Sequence, residues 1–566
     1  MAEETKNTSS NVDVDMMVAE VETGARDPAG FAGKFILTIA FVWSAFQVYI
    51  ASGIPYWITE LTGVNVVVTS AEGRVIHLAF AIALASLAYP LMKSSPRNRV
   101  PIYDWLIAIA GASACLYLIV FKVDIANRAG LPTTGDLIAS TVGMLALAVS
   151  VYRALGLPML IVAGVFVGYV FFGHLSFMPE AIQWKGASFG KAMWHFWMQT
   201  EGVFGVALAV SASMIFLFVL FGALLEKAGA GNYFIKLAFA LLGHLRGGPA
   251  KAAVVASALS GLYSGSSIAN VVTTGTFTIP LMKRTGFAPE KAGAVEVASS
   301  TNGQLTPPVM GAAAFLITEF VGISYPELIV NALLPALISY IALVYIVHLE
   351  ALKLGLKGLP KPPSHVRAMQ KLIGFLTGFI GVAVLGLLIY YGLGWIKGVL
   401  PGMTVWTASL IVLVLYVVLI AYAAKRPDLE NDDPNSSLVE LPVVSTVAAT
   451  GYYYLLPIAV LLWCILVERM SPGLSAFWAT CAMIFIVLTQ HALKGFFRGT
   501  LDLGAQIRQG IDDFVGGMIA GARNMIAIGV ATGIAGVIIG TVSLTGAHQV
   551  IGEFVEFLSG GSLIAM

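Results

Sequence analysis

GLYSGSSIANVVTTGTFTIP, running from Gly261 to Pro280, decides how the chain is read. The stretch lies inside an apolar region, 232–284, that does not read as a simple span. Ser264, Ser266, Ser267 and Asn270 crowd around Gly261 and Gly265, and Thr273, Thr274, Thr276 and Thr278 follow. Within lipid, irregular backbone survives only where protein buries it or where it lines a wet cavity. A glycine–serine turn at this place therefore predicts the tip of a re-entrant hairpin over 252–282, with its second arm starting near Ser267. The start of a helix offers unpaired N–H groups to an anion. Carbonyls at the end of the first arm can hold a cation.

Working outward, a second stretch repeats the theme. SSTNGQLTPPVMG, Ser299 to Gly311, places Thr301, Asn302, Gly303, Gln304 and Thr306 just before Pro307 and Pro308. Proline lacks an N–H and breaks the bond to the preceding turn, so the span 290–318 is expected to be interrupted at mid-depth. Freed carbonyls, with amide and hydroxyl oxygens, make a plausible small-cation site. Neither stretch holds a carboxylate, which suits a monovalent ion such as sodium better than a divalent one. Small and hydroxyl residues also simply allow close helix packing. Two broken segments, each flanked by hydroxyls and amides, favour a transport site. The expected sodium and substrate ligands, not separable from each other, are Gly261, Ser264, Gly265, Ser266, Ser267, Asn270, Thr301, Asn302, Gly303, Gln304, Thr306 and Pro307.

The rest of the chain fits a membrane setting. Of 566 residues, 58% are hydrophobic and 11% charged, against roughly 25% charged in soluble proteins. That excludes an ordinary set of soluble domains, and disorder as well. A net charge of +1, from 32 basic and 31 acidic residues, provides no field for nucleic acid. Cys115, Cys464 and Cys481 sit in apolar runs and read as small core residues. The histidines show no metal-ligand spacing. No nucleophile–base pattern or Walker motif occurs, so neither an intramembrane enzyme nor an ATP-driven pump is expected, and no organic cofactor.

A span needs about 20 apolar residues. Candidates fall near 32–52, 75–93, 102–122, 137–153, 157–174, 203–226, 290–318, 327–349, 371–392, 401–423, 450–467, 474–492 and 524–546. Lys and Arg favour cytoplasmic loops, and the basic residues alternate accordingly if the N-terminus is cytoplasmic. Lys227, Lys251, Lys283, Arg284 and Lys291 flank the hairpin on both sides, so it enters and leaves on one side. Six parts are expected: a flexible cytoplasmic tail 1–30, a compact membrane region 31–175, a connector 176–202, a large region 203–424, a polar linker 425–449 and a final region 450–566. Trp184, Lys185, Lys191, Trp194, His195 and Trp197 suggest that the connector lies as an interfacial helix. Glu201 and Glu226 read as interfacial, Glu296 as a paired helix-end group with a proton-linked or structural carboxylate as the alternative, and Asp432 and Asp433 as solvated.

With these residues in view, the chain resembles the fused permeases of TRAP transporters (tripartite ATP-independent periplasmic transporters), particularly those served by TAXI-type binding proteins. The resemblance rests on IHLAFAIALASLAYP at 76–90, TEGVFGVALAVSASMIFLFVLFGALLEKAGAG at 200–231, GLYSGSSIANVVTTG at 261–275 and SSTNGQLTPPVMGAAAF at 299–315, and it covers essentially all of 30–546. It implies an all-α polytopic fold in which a four-helix small subunit (31–175) is fused to a large transport subunit. Two inverted repeats, each with a hairpin and a discontinuous helix, would move as an elevator. It also implies sodium-driven uptake of a small organic anion, such as a carboxylate, delivered by a periplasmic binding protein at a bacterial or archaeal inner membrane. The second repeat is expected to begin at Ala531–Gly546 and to be incomplete at Met566, as in a truncated chain. Two other readings are a related ion-coupled transporter that takes anions directly, and a membrane scaffold that does not transport.

Overall fold

In the computed structural model the described residues are 28–92, 94–176, 182–360, 404–429, 441–500 and 502–560, with Arg26, Met178, Tyr391, Gly392, Trp395, Val399 and Ser562. The span expected at 371–392 and the linker residues Asp432 and Asp433 lie largely or wholly outside them. Among the described residues there is helix and no strand, and ten helices are long and apolar enough to cross a bilayer. The protein is an all-α polytopic membrane protein.

The N-terminal helices are α1 (Phe31–Ala51), α2 (Ile54–Thr62), α3 (Ser70–Ala88), α4 (Ile102–Val120), α5 (Lys122–Asn127), α6 (Thr134–Leu155) and α7 (Leu157–Phe172). Thr69 with Glu72, and Thr133 with Asp136, form capping boxes that start α3 and α6, each satisfying two otherwise orphaned donors. One end of this bundle is closed by charge. Asp104 accepts from Arg26 Nη1 at 2.5 Å and pairs with Arg153 Nη2 at 2.6 Å, and all three side chains are fully buried. Arg26 also donates from its backbone N–H to Ala88 and from Nε to Pro96. The tail expected to be flexible over 1–30 is thus fastened at Arg26.

The tryptophan-rich stretch packs its tryptophans against the N-terminal bundle. A short helix α8 (Phe189–Met193) runs into a π-turn at Trp194–Met198. Trp197 rests against Gly143 and donates from Nε1 to the Ala114 carbonyl at 3.2 Å. Trp194, His195 and Trp197 are all buried. Aromatic rings with one polar edge serve equally well inside a core once that edge finds a partner.

The following helices are α9 (Val206–Lys227, with a π-turn at Ser211–Ile215), α10 (Ala230–Leu242), α11 (Gly248–Gly261), α12 (Ser267–Arg284), α13 (Pro289–Gly303), α14 (Ala312–Val321) and α15 (Tyr325–Lys353). After them come α16 (Thr404–Ala424), α17 (Val444–Leu466), α18 (Pro472–Arg498), α19 (Leu503–Thr545) and α20 (Ala547–Ser559). The hairpin is present as α11 and α12. Ala250 and Ala253 of α11, Met282 of α12, Phe287, and Val347 and Ala351 of α15 share one apolar cluster. The hairpin therefore starts and finishes at the same end of the molecule, where α15 also finishes.

The largest departure from expectation is α19. The sequence suggested a span at 524–546. The helix is 43 residues long, about 64 Å at 1.5 Å per residue, more than twice a bilayer core of about 30 Å. Glycines on one side let it run against its neighbours. A Cβ at Gly517 or Gly521 would press on the backbone of Leu224 or Leu220 in α9. One at Gly529 would lie 2.9 Å from Ala81 Cβ, and one at Gly536 would lie 2.9 Å from Val203 Cα. Ser44 of α1 donates to the Met518 carbonyl at 2.6 Å. The rod therefore joins the N-terminal bundle to α9 and α18 in one core.

Candidate functional site

Hairpin tip and broken helix meet directly. The first arm ends at Gly261, the tip runs through Leu262–Gly265, and Ser266 caps α12 by accepting from the Ala269 N–H at 3.2 Å. Helix α13 ends at Gly303 and α14 begins at Ala312, so the expected break falls at 304–311, across Pro307 and Pro308. Two glycines allow the approach. A Cβ on Gly261 would sit 2.9 Å from Gly303 Cα and 3.0 Å from Thr306 Oγ1, and one on Gly265 would collide with the Met310 carbonyl. Gly311 N–H donates to the Gln304 carbonyl at 2.8 Å and closes the break on itself.

Several expected ligands come together here. Gln304 Nε2 donates to Ser267 Oγ at 2.8 Å, bridging the break to the start of α12. Asn270 is buried; its Nδ2 donates to the Ser257 carbonyl at 3.5 Å, and its Oδ1 has no partner. Thr306 Oγ1 lies 3.2 Å from the Asn302 carbonyl and 3.1 Å from Tyr340 Oη. Others serve locally. Thr301 is exposed and donates to Val297 of its own helix. Ser264 contributes its backbone N–H to the Ser260 carbonyl. Pro307 is buried within the break.

The break is clamped from behind. Tyr325 Oη donates to the Pro308 carbonyl at 2.7 Å and lies 3.1 Å from that of Val309. Its ring stacks on Phe315 at 4.9 Å, and Phe315 meets Phe218 of α9 at 4.8 Å. No sequence signal marked Tyr325, which sits seventeen positions from Pro308.

Two carboxylates are placed differently from expectation. Glu296, read as a paired helix-end group, is fully buried, and its partners are the hydroxyls of Thr274, Thr278 and Ser300. Glu226, read as interfacial, accepts from Thr273. Adjacent threonines on α12 thus tie the hairpin to α9 on one side and to α13 on the other. Helical geometry explains the miss. Positions 274, 278, 296 and 300 face one another only once two helices are packed, and no single-chain spacing shows it.

At the junction, one buried amide oxygen, Asn270 Oδ1, lacks a partner among the described residues. Among the described residues no cluster of three His, Cys, Asp or Glu side chains forms. Neutral oxygens of this sort suit a monovalent cation better than a divalent one.

Residues 138–408 match the family described as the tripartite ATP-independent periplasmic transporter, DctM component. The match begins inside α6. The C4-dicarboxylate TRAP transporter large permease protein DctM of Vibrio cholerae is 30% identical over 146 residues, 26% of this chain and 31% of that protein. The ectoine TRAP transporter large permease protein TeaC of Halomonas elongata is 25% identical over 301 residues, 52% of this chain and 60% of that protein. The sialic acid TRAP transporter large permease protein SiaM of Vibrio cholerae is 27% identical over 169 residues, 30% of this chain and 39% of that protein. The chain spans about a third of the length of the first curated relatives it matches. Hairpin, broken helix and matched family coincide in one region: residues 138–408, just under half of the chain, are similar to the large-permease (DctM) component of the tripartite ATP-independent periplasmic transporters.

Proposed function

We propose that the chain is the membrane part of a sodium-driven secondary transporter that takes up a small organic anion, a carboxylate, delivered by a periplasmic binding protein of the TAXI type. The relatives carry dicarboxylate, ectoine and sialic acid in their names, and the first and last are acids. The observation that carries the reading is the junction of hairpin tip and broken helix, with the buried, partnerless Asn270 Oδ1. Asn270, with carbonyls of the tip and of 302–306, would hold sodium, which supplies the positive charge that neutral oxygens lack. Ser266 and Ser267 place the N-terminus of α12 at the same junction, where N–H groups favour an anion. The membrane is a bacterial or archaeal inner membrane with the N-terminus cytoplasmic, and the hairpin-bearing part moves as an elevator against α19 and the N-terminal bundle.

Uptake in proteoliposomes, with the binding protein and with or without an inward sodium gradient, tests this. Wild type should need both, and Asn270→Ala should lose most of its sodium dependence. Uptake indifferent to sodium in both proteins would refute the ion-site assignment.

A further inference from the structure

We propose that Glu296 is a proton-binding site, separate from the junction at Asn270: a buried carboxylic acid whose proton completes a hydrogen-bonded chain from α13 through Thr274 to the Asn270 backbone. Three observations carry it. The carboxyl group is fully buried, and its partners among the described residues are hydroxyls alone. An ionised carboxylate without a counter-charge is among the costliest groups to bury. The hydroxyls of Thr274 and Thr278 touch the two carboxyl oxygens directly.

The proton count is the third observation. A hydroxyl has one proton to give. Thr274 Oγ1 lies 2.7 Å from the Asn270 carbonyl and also touches Glu296 Oε1. Neither partner has a proton if Glu296 is ionised, and Thr274 can serve only one of them. A protonated Oε1 donates to Thr274, Thr274 donates to Asn270, and Thr278 donates to Oε2. Ser300 then donates to Oε1 at 3.2 Å, and every contact has one proton. Gly275 makes the approach possible, since a Cβ there would lie 3.1 Å from Glu296 Cγ.

The charged and titratable groups on the surrounding elements are engaged elsewhere or lie toward the helix ends. Lys251 of α11 meets His348 of α15 at 3.0 Å, Lys291 of α13 pairs with Glu350 of α15, and Tyr340 bonds to Thr306. Glu290 opens α13, Lys283 and Arg284 close α12, Lys353 closes α15, and Glu226 holds Thr273 on the far side of α12. When the proton leaves, two acceptors face each other at Thr274, and the tie between hairpin arm and broken helix loosens. The role of this proton in uptake rests on the transport reading above; its presence does not.

Infrared spectroscopy of the full chain in lipid nanodiscs near neutral pH tests the site. Wild type should show the C=O stretch of a protonated acid, and Glu296→Gln should remove it. Thr278→Val, which takes a donor from the carbonyl oxygen, should move the band to higher frequency. Identical acid-region spectra for wild type and Glu296→Gln overturn the proposal. If Glu296→Gln does not fold, an unmoved band in Thr278→Val overturns it. A confirmed band in a protein whose uptake ignores sodium would sink the transport reading and leave this one standing.

Discussion

The two ends of the chain's polar interior are built on opposite plans. In the N-terminal bundle, Asp104 meets two arginines, and three charges are sealed from solvent by direct pairing. In the hairpin region, Glu296 is sealed just as deeply among hydroxyls, and Asn270 Oδ1 is left without a partner. The first arrangement fixes helices in place: one carboxylate bridges two guanidinium groups, and removing it strands both. The second keeps oxygen lone pairs facing a junction of two broken elements, where a small ion or proton can complete them. Both regions share one membrane, so the surrounding solvent does not explain the contrast. The difference lies in which residues the backbone breaks bring together.

The sharpest break in that contrast would come at Asp104. Asp104→Asn leaves two buried guanidinium groups without their counter-charge, and loss of one partner from a buried pair costs about 3–5 kcal/mol. Folded yield and thermal midpoint in detergent should fall steeply. Near-normal yield would show that the N-terminal bundle tolerates unpaired buried charge. A smaller loss is expected at Gly536→Ala, whose new Cβ meets the Gly202 carbonyl and Val203 Cα. Overpacking of this kind costs about 1–3 kcal/mol, read as a lowered midpoint with the hairpin site unaltered. Asn270→Ala should separate the two plans. Sodium affinity, measured by calorimetry, should drop at least about tenfold, or 1.4 kcal/mol, while the midpoint shifts little because its Oδ1 makes no bond and its Nδ2 makes only a long one of 3.5 Å to the Ser257 carbonyl. A variant that unfolds instead would place Asn270 with the structural pairs.

The smallest effect is expected outside the spans. Arg498, hydrogen-bonded to Asp428, holds that carboxyl down to about 2. Its stabilisation is present above the unfolded carboxylate range near about 3.9 and is lost as pH falls through about 2. Asp428 is 60% exposed, so the pair is worth at most about 1 kcal/mol. Asp428→Asn should therefore lower stability at neutral pH by at most about 1 kcal/mol and flatten the acid limb of a stability–pH curve, and a loss that persists below about pH 2 would contradict this.

The sequence was most informative where it broke its own pattern. The glycine–serine turn placed the tip, and α12 begins at Ser267 as expected. Pro307 and Pro308 marked the break between α13 and α14. These features are local, since a residue that cannot continue a helix announces itself. Features made by two helices together stayed hidden. The acid at Glu296 meets its hydroxyls only after α12 and α13 pack. Helix α19 reads as a short span because Gln506, Arg508, Asp512 and Asp513 interrupt its apolar character without breaking its backbone. Trp197 likewise meets Ala114 and Gly143 only once the bundle has packed.

The position of α19 in the chain has a consequence for how the molecule is made. Ser44 and Met518 touch across 474 positions. At synthesis rates of about 5–20 residues per second, the first helix waits roughly 25–95 s for the rod that closes its groove. During that interval Trp43 and His77 line an open cleft, and the bundle exists only as a partly assembled intermediate. Its maturation is therefore timed by the ribosome's arrival at residue 518 and beyond, and the earliest helices to enter the membrane are among the last to reach their final packing.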